Sequence, residues 1–217
     1  MPALSEAIKS TRSKHSAPGQ YLGYAIQPVR LCFHLLTCPP EANVSLEYLD
    51  DVAVHYADGS VLLEQTKSAL SQNPLADWAN DFWKCIANWL SSVSAGTVSA
   101  DLASFRLYVT PIKSGPRSAA LSQATTQAEV ESVLSAVQKS LKKMKKMPSC
   151  LSHIENVLNA TPETRFKVIP HFQVTSTDSD PVDPTHSGPS FAAPQSEREA
   201  PQPLPERPTS SPKTIAG

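Results

Sequence analysis

Residues 43–67 read NVSLEYLDDVAVHYADGSVLLEQTK, in which two runs of alternating apolar and polar residues flank the pair Asp58-Gly59. Asp-Gly between such runs is a strong signal for a β-hairpin with a tight turn. The pattern predicts a first strand over residues 43–56 and a return strand over 61–67. Strict alternation places one set of side chains of the first strand on a common face: Leu46, Tyr48, Val52, Val54 and Tyr56.

The same alternation collects polar side chains on the hairpin. Asp51 points away from the apolar face of the first strand, and pairing across the turn brings it near Gln65 and Lys67. Carboxylate and amide oxygens suit a hard cation such as Mg²⁺, and a lysine beside them can stabilise charge on a phosphoryl oxygen. A β-bulge would exchange Asp51 for Asp50, so either carboxylate can face the metal. A solvated hairpin face is the alternative explanation of the same residues.

The sequence on both sides of the hairpin predicts helices and two further strands. Helical spacing of apolar residues predicts helices over 20–36, 77–90, 126–147 and 151–158. Short apolar runs predict strands over 105–110 and 166–174. The order is helix, hairpin, helix, strand, helix, strand, which predicts an α/β fold with a mixed central sheet flanked by helices. The core is expected to include the three tryptophans, Trp78, Trp83 and Trp89.

Proline is the compositional anomaly of this 217-residue chain, with 20 prolines against seven glycines. Nine of the prolines follow Asp178 among serine, threonine and acidic residues, and this composition predicts disorder. We therefore expect three parts: a flexible arm at 1–17, one folded domain at 18–176 and a disordered Pro/Ser/Thr-rich tail at 177–217.

The charge of the chain is mild, with a formal net charge of −1. Residues 1–177 hold 16 basic against 14 acidic residues, so a polyanion is expected to bind locally rather than along the whole surface. A dense basic cluster ends one predicted helix. It either contacts DNA phosphates or complements the C-terminal dipole of that helix, and it consists of Lys142, Lys143, Lys145 and Lys146.

Cysteine usage and hydropathy indicate a cytoplasmic protein without a membrane segment. The four cysteines form no C-x-x-C pair and have no histidines at zinc spacing, so buried, reduced thiols are expected. The N-terminus lacks the apolar region of a signal peptide, and no run approaches the roughly 18 apolar residues of a membrane span. The sequence also contains no glycine-rich phosphate loop and no nucleophile elbow.

Three motifs in this order resemble one enzyme family. They are Gly23-Tyr-Ala-Ile-Gln27, then Glu47-Tyr-Leu-Asp50-Asp51-Val52 with Gln65-Thr-Lys67 after a glycine turn, and last Phe82-Trp83-Lys84 with Trp89. Together they resemble the double-stranded-DNA endonuclease domain of effectors associated with CD-NTase antiviral systems. That domain is a branch of the PD-(D/E)XK, or restriction-endonuclease-like, superfamily. The resemblance spans about residues 17–175.

The resemblance implies an activity and a role for each matching residue. Asp51 would bind Mg²⁺ or Mn²⁺, Gln65 would occupy the second metal-binding position, and Lys67 would be the catalytic lysine. Glu47 and Gln27 would be auxiliary ligands or orienting residues. The implied activity is hydrolysis of double-stranded DNA in bacterial antiphage defence, by a homo-oligomer or together with a separate sensor or effector subunit. The alternatives are a catalytically inactive nucleic-acid-binding or assembly module of a defence complex, and an inactive remnant.

Overall fold

A computed structural model describes residues 18–176, which form an α/β fold of five strands and six helices. The arm predicted at 1–17 and the tail predicted at 177–217 lie outside the described residues. The helices are α1 (Pro18–Thr37), α2 (Asn80–Ser94), α3 (Pro116–Gln123), α4 (Gln127–Lys142), α5 (Leu151–Asn159) and α6 (Pro162–Val168). The strands are β1 (Asn43–Leu46), β2 (Val52–His55), β3 (Val61–Ser68), β4 (Ala103–Thr110) and β5 (Phe172–Ser176), and one short 3₁₀ turn (Ile169–His171) precedes β5.

The five strands form one mixed sheet in chain order. β1, β2 and β3 make an antiparallel meander, and β4 and β5 continue the sheet parallel to β3. In the β2–β3 hairpin His55 pairs with Val61, and Gly59 in the turn between them has a φ of 84°. Glycine adopts this left-handed conformation at little cost, which is why the chain turns at this point. The predicted mixed sheet with flanking helices is confirmed.

The first predicted strand, 43–56, is wrong in its middle, because it consists of two antiparallel strands joined by a tight turn. Glu47 begins the turn with a left-handed φ of 52°, and its N–H donates to the carbonyl of Asp51 at 3.1 Å. Apart from Leu49 and Asp50, apolar residues keep to the same face before and after the turn, so the pattern alone does not reveal the reversal. Leu46 and Tyr48, which were expected on a buried face, are 39% and 75% exposed.

The last predicted strand, 166–174, is wrong in its first half, where α6 takes its place. Thr161 caps α6 by accepting a hydrogen bond from the N–H of Thr164 at 3.1 Å. Pro162 then occupies the first turn, where a missing N–H leaves no hydrogen bond unmade. Of the predicted strand, only the part within β5 is a strand, and it pairs with β4. α3 has no counterpart among the predicted elements.

The core lies between one face of the sheet and helices α2 to α6. Phe82 and Trp83 of α2 are fully buried, and Trp89 packs against Phe105 of β4 and Phe172 of β5 at ring-centroid distances of 5.3 and 5.6 Å. Burial of Trp83 and Trp89 in the core is confirmed. α1 packs on the antiparallel part of the sheet, β1 to β3. Within residues 18–176, no helix combines the length and apolar character needed to cross a membrane.

Candidate functional site

A cleft of about 730 Å³ opens beside the last residues of β3, and α1, α2 and the β1–β2 turn contribute its other walls. Its lining includes five residues that the sequence singled out: Gln27, Glu47, Asp51, Gln65 and Lys67. These residues come from α1, the β1–β2 turn and β3, so the fold and not the hairpin alone brings them together. The cleft is the candidate functional site.

Asp51 is held in a fixed orientation at the wall of the cleft. Its Oδ2 accepts hydrogen bonds from the backbone N–H of Thr66 at 2.8 Å and from the Thr66 hydroxyl at 2.9 Å. The ammonium group of Lys67 lies 4.0 Å from the same oxygen, and the Asp51 and Lys67 side chains are 14% and 25% exposed. The sequence predicted the Asp51–Lys67 proximity, but it did not identify Thr66 as the residue that orients the carboxylate.

Asp50, the alternative metal ligand, does not line the cleft. Its Oδ2 accepts a hydrogen bond from the indole N–H of Trp89 at 2.6 Å, and its Oδ1 accepts one from the backbone N–H of Asp51 at 2.9 Å. Burial raises the pKa of Asp50 to about 6, although the Trp89 hydrogen bond works in the opposite direction. The structure therefore does not group Asp50 with the candidate metal ligands, because the β1–β2 turn directs Asp51, and not Asp50, to the cleft.

Glu47 reaches the cleft because the turn places it in a left-handed conformation. Its Oε1 accepts a hydrogen bond of 2.6 Å from the side-chain amide of Gln27, which is almost completely buried on α1. A non-glycine residue in this conformation costs of order 1–3 kcal/mol, and such strain is common at functional sites. The Gln27–Glu47 contact connects two residues that only the family resemblance had grouped together.

A buried ionic cluster fixes α1 against the sheet. Glu64 of β3 accepts two hydrogen bonds from Arg30 at 2.7 and 2.9 Å, one involving His34 at 3.1 Å and one from Arg106 at 3.5 Å. The Arg30 guanidinium also lies over the ring of Tyr108, 4.1 Å from its centroid. Burial acts to raise the pKa of Glu64, but the hydrogen bonds and charges of Arg30 and His34 outweigh it and hold that pKa at about 2.

The sequence analysis did not find this cluster. A signal was present, because Arg30 and His34 are spaced four residues apart on an otherwise apolar helix and Glu64 interrupts an apolar strand. Since Gln27 lies one turn before Arg30 on the same buried side of α1, the cluster also sets the position of Gln27 and, through it, of Glu47.

The predicted DNA-binding lysines lie outside the cleft lining. α4 ends at Lys142, and Lys143 is its C-terminal cap. All four lysines of the cluster are exposed: Lys142, Lys143, Lys145 and Lys146. Lysines at the end of a helix also complement its dipole, so both explanations given for the cluster remain open and its contact with DNA stays a prediction.

The oxygen donors of the cleft fit a magnesium ion. Within residues 18–176, no three His, Cys, Asp or Glu side chains are grouped so that they could hold a metal. Mg²⁺ is usually bound through only one or two carboxylates, and waters and substrate phosphates complete its coordination. Asp51 and Glu47 supply carboxylates and Gln65 supplies an amide oxygen, so the donor set meets that requirement.

The charge of the lining favours a cation as well. Three carboxylates line the cleft, from Glu47, Asp51 and Asp81, against the ammonium groups of Lys67 and Lys84. By itself this excess of negative charge repels a phosphate backbone. A divalent cation would reverse the sign of the local charge.

Comparisons of the chain with models of protein families, with characterised proteins and with solved structures give no match.

Proposed function

We propose that this chain is a metal-dependent endonuclease with a restriction-endonuclease-like fold that hydrolyses phosphodiester bonds of double-stranded DNA. In this proposal it acts in the bacterial cytoplasm in antiphage defence. The observation that carries the proposal is the grouping of Asp51, Gln65 and Lys67 in one cleft, with the Lys67 ammonium 4.0 Å from the Asp51 carboxylate. Carboxylate, amide and ammonium groups in one cleft suit phosphoryl chemistry.

Each side chain has a distinct role in the proposal. Asp51, Gln65 and Glu47 would hold Mg²⁺ or Mn²⁺, which when bound polarises a phosphate and lowers the pKa of water. Thr66 keeps the Asp51 carboxylate in place through two hydrogen bonds. Lys67 stabilises the negative charge that develops on the phosphoryl oxygens.

The walls of the cleft offer contacts for the DNA backbone. Lys84 and Asn88 are both exposed on α2, one turn apart, and both line the cleft. An ammonium group and a side-chain amide are typical phosphate contacts, which position DNA without reading its sequence. We therefore expect cleavage with little sequence preference, and the lysine cluster at the end of α4 as a second contact with the backbone.

A second function from another class is supported by the donor set itself. The Oδ2 of Asp51 already accepts two hydrogen bonds from Thr66, and the second metal-binding position is a neutral glutamine. A chain of this kind can retain a nuclease-like fold and serve only as a nucleic-acid-binding or assembly module of a defence complex. The two functions differ in one observable, which is metal-dependent cleavage.

The test is incubation of the purified chain with plasmid DNA in Mg²⁺, in Mn²⁺ and in EDTA. We expect cleavage with either metal and none in EDTA. Lys67→Ala should lower the cleavage rate by roughly 10²-fold or more, because it removes a group that stabilises developing charge. DNA affinity should change little.

Lys113→Ala is the matched control, since Lys113 is an exposed lysine that does not line the cleft. It should cleave at the wild-type rate. Metal-dependent DNA binding without cleavage by the wild-type chain would favour the binding module. Cleavage by Lys67→Ala at the wild-type rate would refute the assignment of the site.

A further inference from the structure

α1 has the reverse of the usual polarity of a helix at a protein surface. Such a helix normally buries its apolar residues and exposes its polar ones. Here Gln27, Arg30 and His34 are buried against the sheet. The opposite side of the helix is exposed and carries no charge, and we call it the α1 outer face: Tyr24, Pro28, Val29, Cys32, Leu35 and Leu36.

The α1 outer face is large enough to be an interaction surface. Tyr24, Leu35 and Leu36 are 67%, 58% and 69% exposed, and Val29 is 38% exposed. With these fractions the four side chains present on the order of 400 Å² of mainly apolar surface, and apolar patches of this size on soluble proteins are often functional. The only Lys, Arg, Asp or Glu in the helix is Arg30, which is buried.

The helix cannot hide this surface by rotating about its own axis. Arg30 donates two hydrogen bonds to Glu64, and His34 makes a third contact with the same carboxylate. Rotation would break all of them and leave the buried Glu64 carboxylate with only its longer contact to Arg106, at 3.5 Å, which is strongly unfavourable. The polar contacts of α1 therefore keep its apolar side facing outward, where a partner can pack against it.

We propose that the α1 outer face is a homodimer interface, in which a second copy of this chain packs its own α1 outer face against the first. Isologous contact places the same patch on both sides, and a patch without charged groups meets its copy without electrostatic repulsion. The neighbouring β1–β2 turn, tied to α1 by the Gln27–Glu47 hydrogen bond, carries a further exposed aromatic side chain, Tyr48, which is 75% exposed. Together with Tyr48 the exposed area is on the order of 600 Å² per partner, that of an interface somewhat smaller than the standard of roughly 800 Å² per partner.

The arrangement of side chains on α1 indicates where the two helices cross. Pro28 and Cys32 lie near the middle of the α1 outer face, between the bulky Tyr24 at one end and Leu35 and Leu36 at the other. Small side chains at the middle allow the helix axes to approach closely. A two-fold axis between residues 28 and 32 therefore brings Cys32 close to the same residue of the second copy.

The dimer would also bring the two candidate sites near each other. Tyr24 belongs to both the α1 outer face and the lining of the cleft. With antiparallel helices that cross near residue 30, the two Tyr24 positions lie on the order of 20 Å apart along the axis, at 1.5 Å per residue. The dimer proposal stands on the surface of α1 alone, whereas a role in cutting both DNA strands rests on the proposed function.

Light scattering on the full chain at micromolar concentration tests the interface. We expect an apparent mass of twice 23.4 kDa for the wild-type chain and 23.4 kDa for the double variant Leu35→Glu, Leu36→Glu. Leu102→Glu is the matched control, because Leu102 is 48% exposed and lies outside α1, and this variant should remain dimeric. A monomeric wild-type chain, or a dimer that the double variant leaves intact, would overturn the proposal whether or not DNA is cleaved.

Cross-linking supplies a second readout that needs no change to the surface. A short bismaleimide should join two wild-type copies mainly through Cys32, because this cysteine is exposed, while Cys38 is half-buried and Cys85 and Cys150 are buried. The covalent dimer should be lost in Cys32→Ser and in the double glutamate variant. Equal cross-linking of the wild-type chain and the double variant would show random collision and would contradict the interface.

Discussion

Replacement of Glu64 by glutamine tests the claim that an ionic cluster holds α1 on the sheet. The Glu64 side chain is 1% exposed, and its pKa is about 2 against an ordinary value of 4.5. Each pKa unit is worth 1.36 kcal/mol, so this difference corresponds to a contribution of about 3 kcal/mol to the free energy of unfolding at neutral pH. Glu64→Gln also leaves Arg30 and Arg106 without their carboxylate, and breaking a buried pair costs ~3–5 kcal/mol.

Urea unfolding followed by circular dichroism gives the free energy of unfolding of both proteins. At pH 7 we expect Glu64→Gln to lose about 3 kcal/mol. Glu163→Gln is the matched control, because Glu163 pairs with Lys167 but is 79% exposed, and its loss should stay within ~0.5 kcal/mol. Both variants remove one carboxylate and retain its shape, so they differ in burial and in the number of cationic partners left behind.

The difference in free energy of unfolding between wild type and Glu64→Gln depends on pH, and its direction follows from the lowered pKa of Glu64. The folded-state pKa of Glu64 lies below its ordinary value, so its contribution is fully present above pH 4.5 and is lost as the pH falls toward 2. The difference in free energy of unfolding between wild type and Glu64→Gln should therefore decrease below pH 4.5. A Glu64→Gln variant within about 1 kcal/mol of wild type at pH 7 would refute the stabilising role of the cluster.

Two further predictions concern residues next to the cleft. Burial raises the pKa of Asp50 from 3.8 to about 6, so the stability that this group contributes is present below pH 3.8 and is lost as the pH rises through 6. Trp89 donates a hydrogen bond to Asp50, so its fluorescence should change with pH with a midpoint near pH 6. If Asp50→Asn keeps the same midpoint, the titration does not belong to Asp50. Thr66→Val removes the hydroxyl hydrogen bond to Asp51 and should slow DNA cleavage roughly tenfold, with a loss of stability of about 1–2 kcal/mol. Cleavage at the wild-type rate would show that Thr66 does not position the carboxylate.

Local signals in the sequence predicted most of the elements that build the cleft. The Asp58-Gly59 turn defined the β2–β3 hairpin and set the register that brings Asp51 near Lys67. Helical spacing of aromatic residues predicted α2, whose tryptophans enter the core. These features depend on neighbouring residues, which is why a single sequence was sufficient to predict them.

The features that were missed depend on conformation or on distant partners. The turn at Glu47 was missed because apolar residues resume the same face after it, at Val52, and nothing in that spacing reports the left-handed φ at which the chain reverses. The direction of Asp50 followed from that turn and from Trp89, 39 positions away. The Glu64 cluster joins residues 30 to 42 positions apart, and no periodicity records such pairings.

Cleavage of duplex DNA as a function of Mg²⁺ concentration, by wild type and Asp51→Asn, tests the central claim most directly. Asparagine keeps the shape of the side chain and removes its charge, so it isolates the role of the Asp51 carboxylate at the candidate metal site. We predict that wild type cleaves only with the metal, and that Asp51→Asn is slower by roughly 10²-fold and needs more Mg²⁺. Cleavage that resists EDTA, or equal Mg²⁺ dependence and equal rates in the two proteins, would contradict a metal-dependent nuclease centred on Asp51.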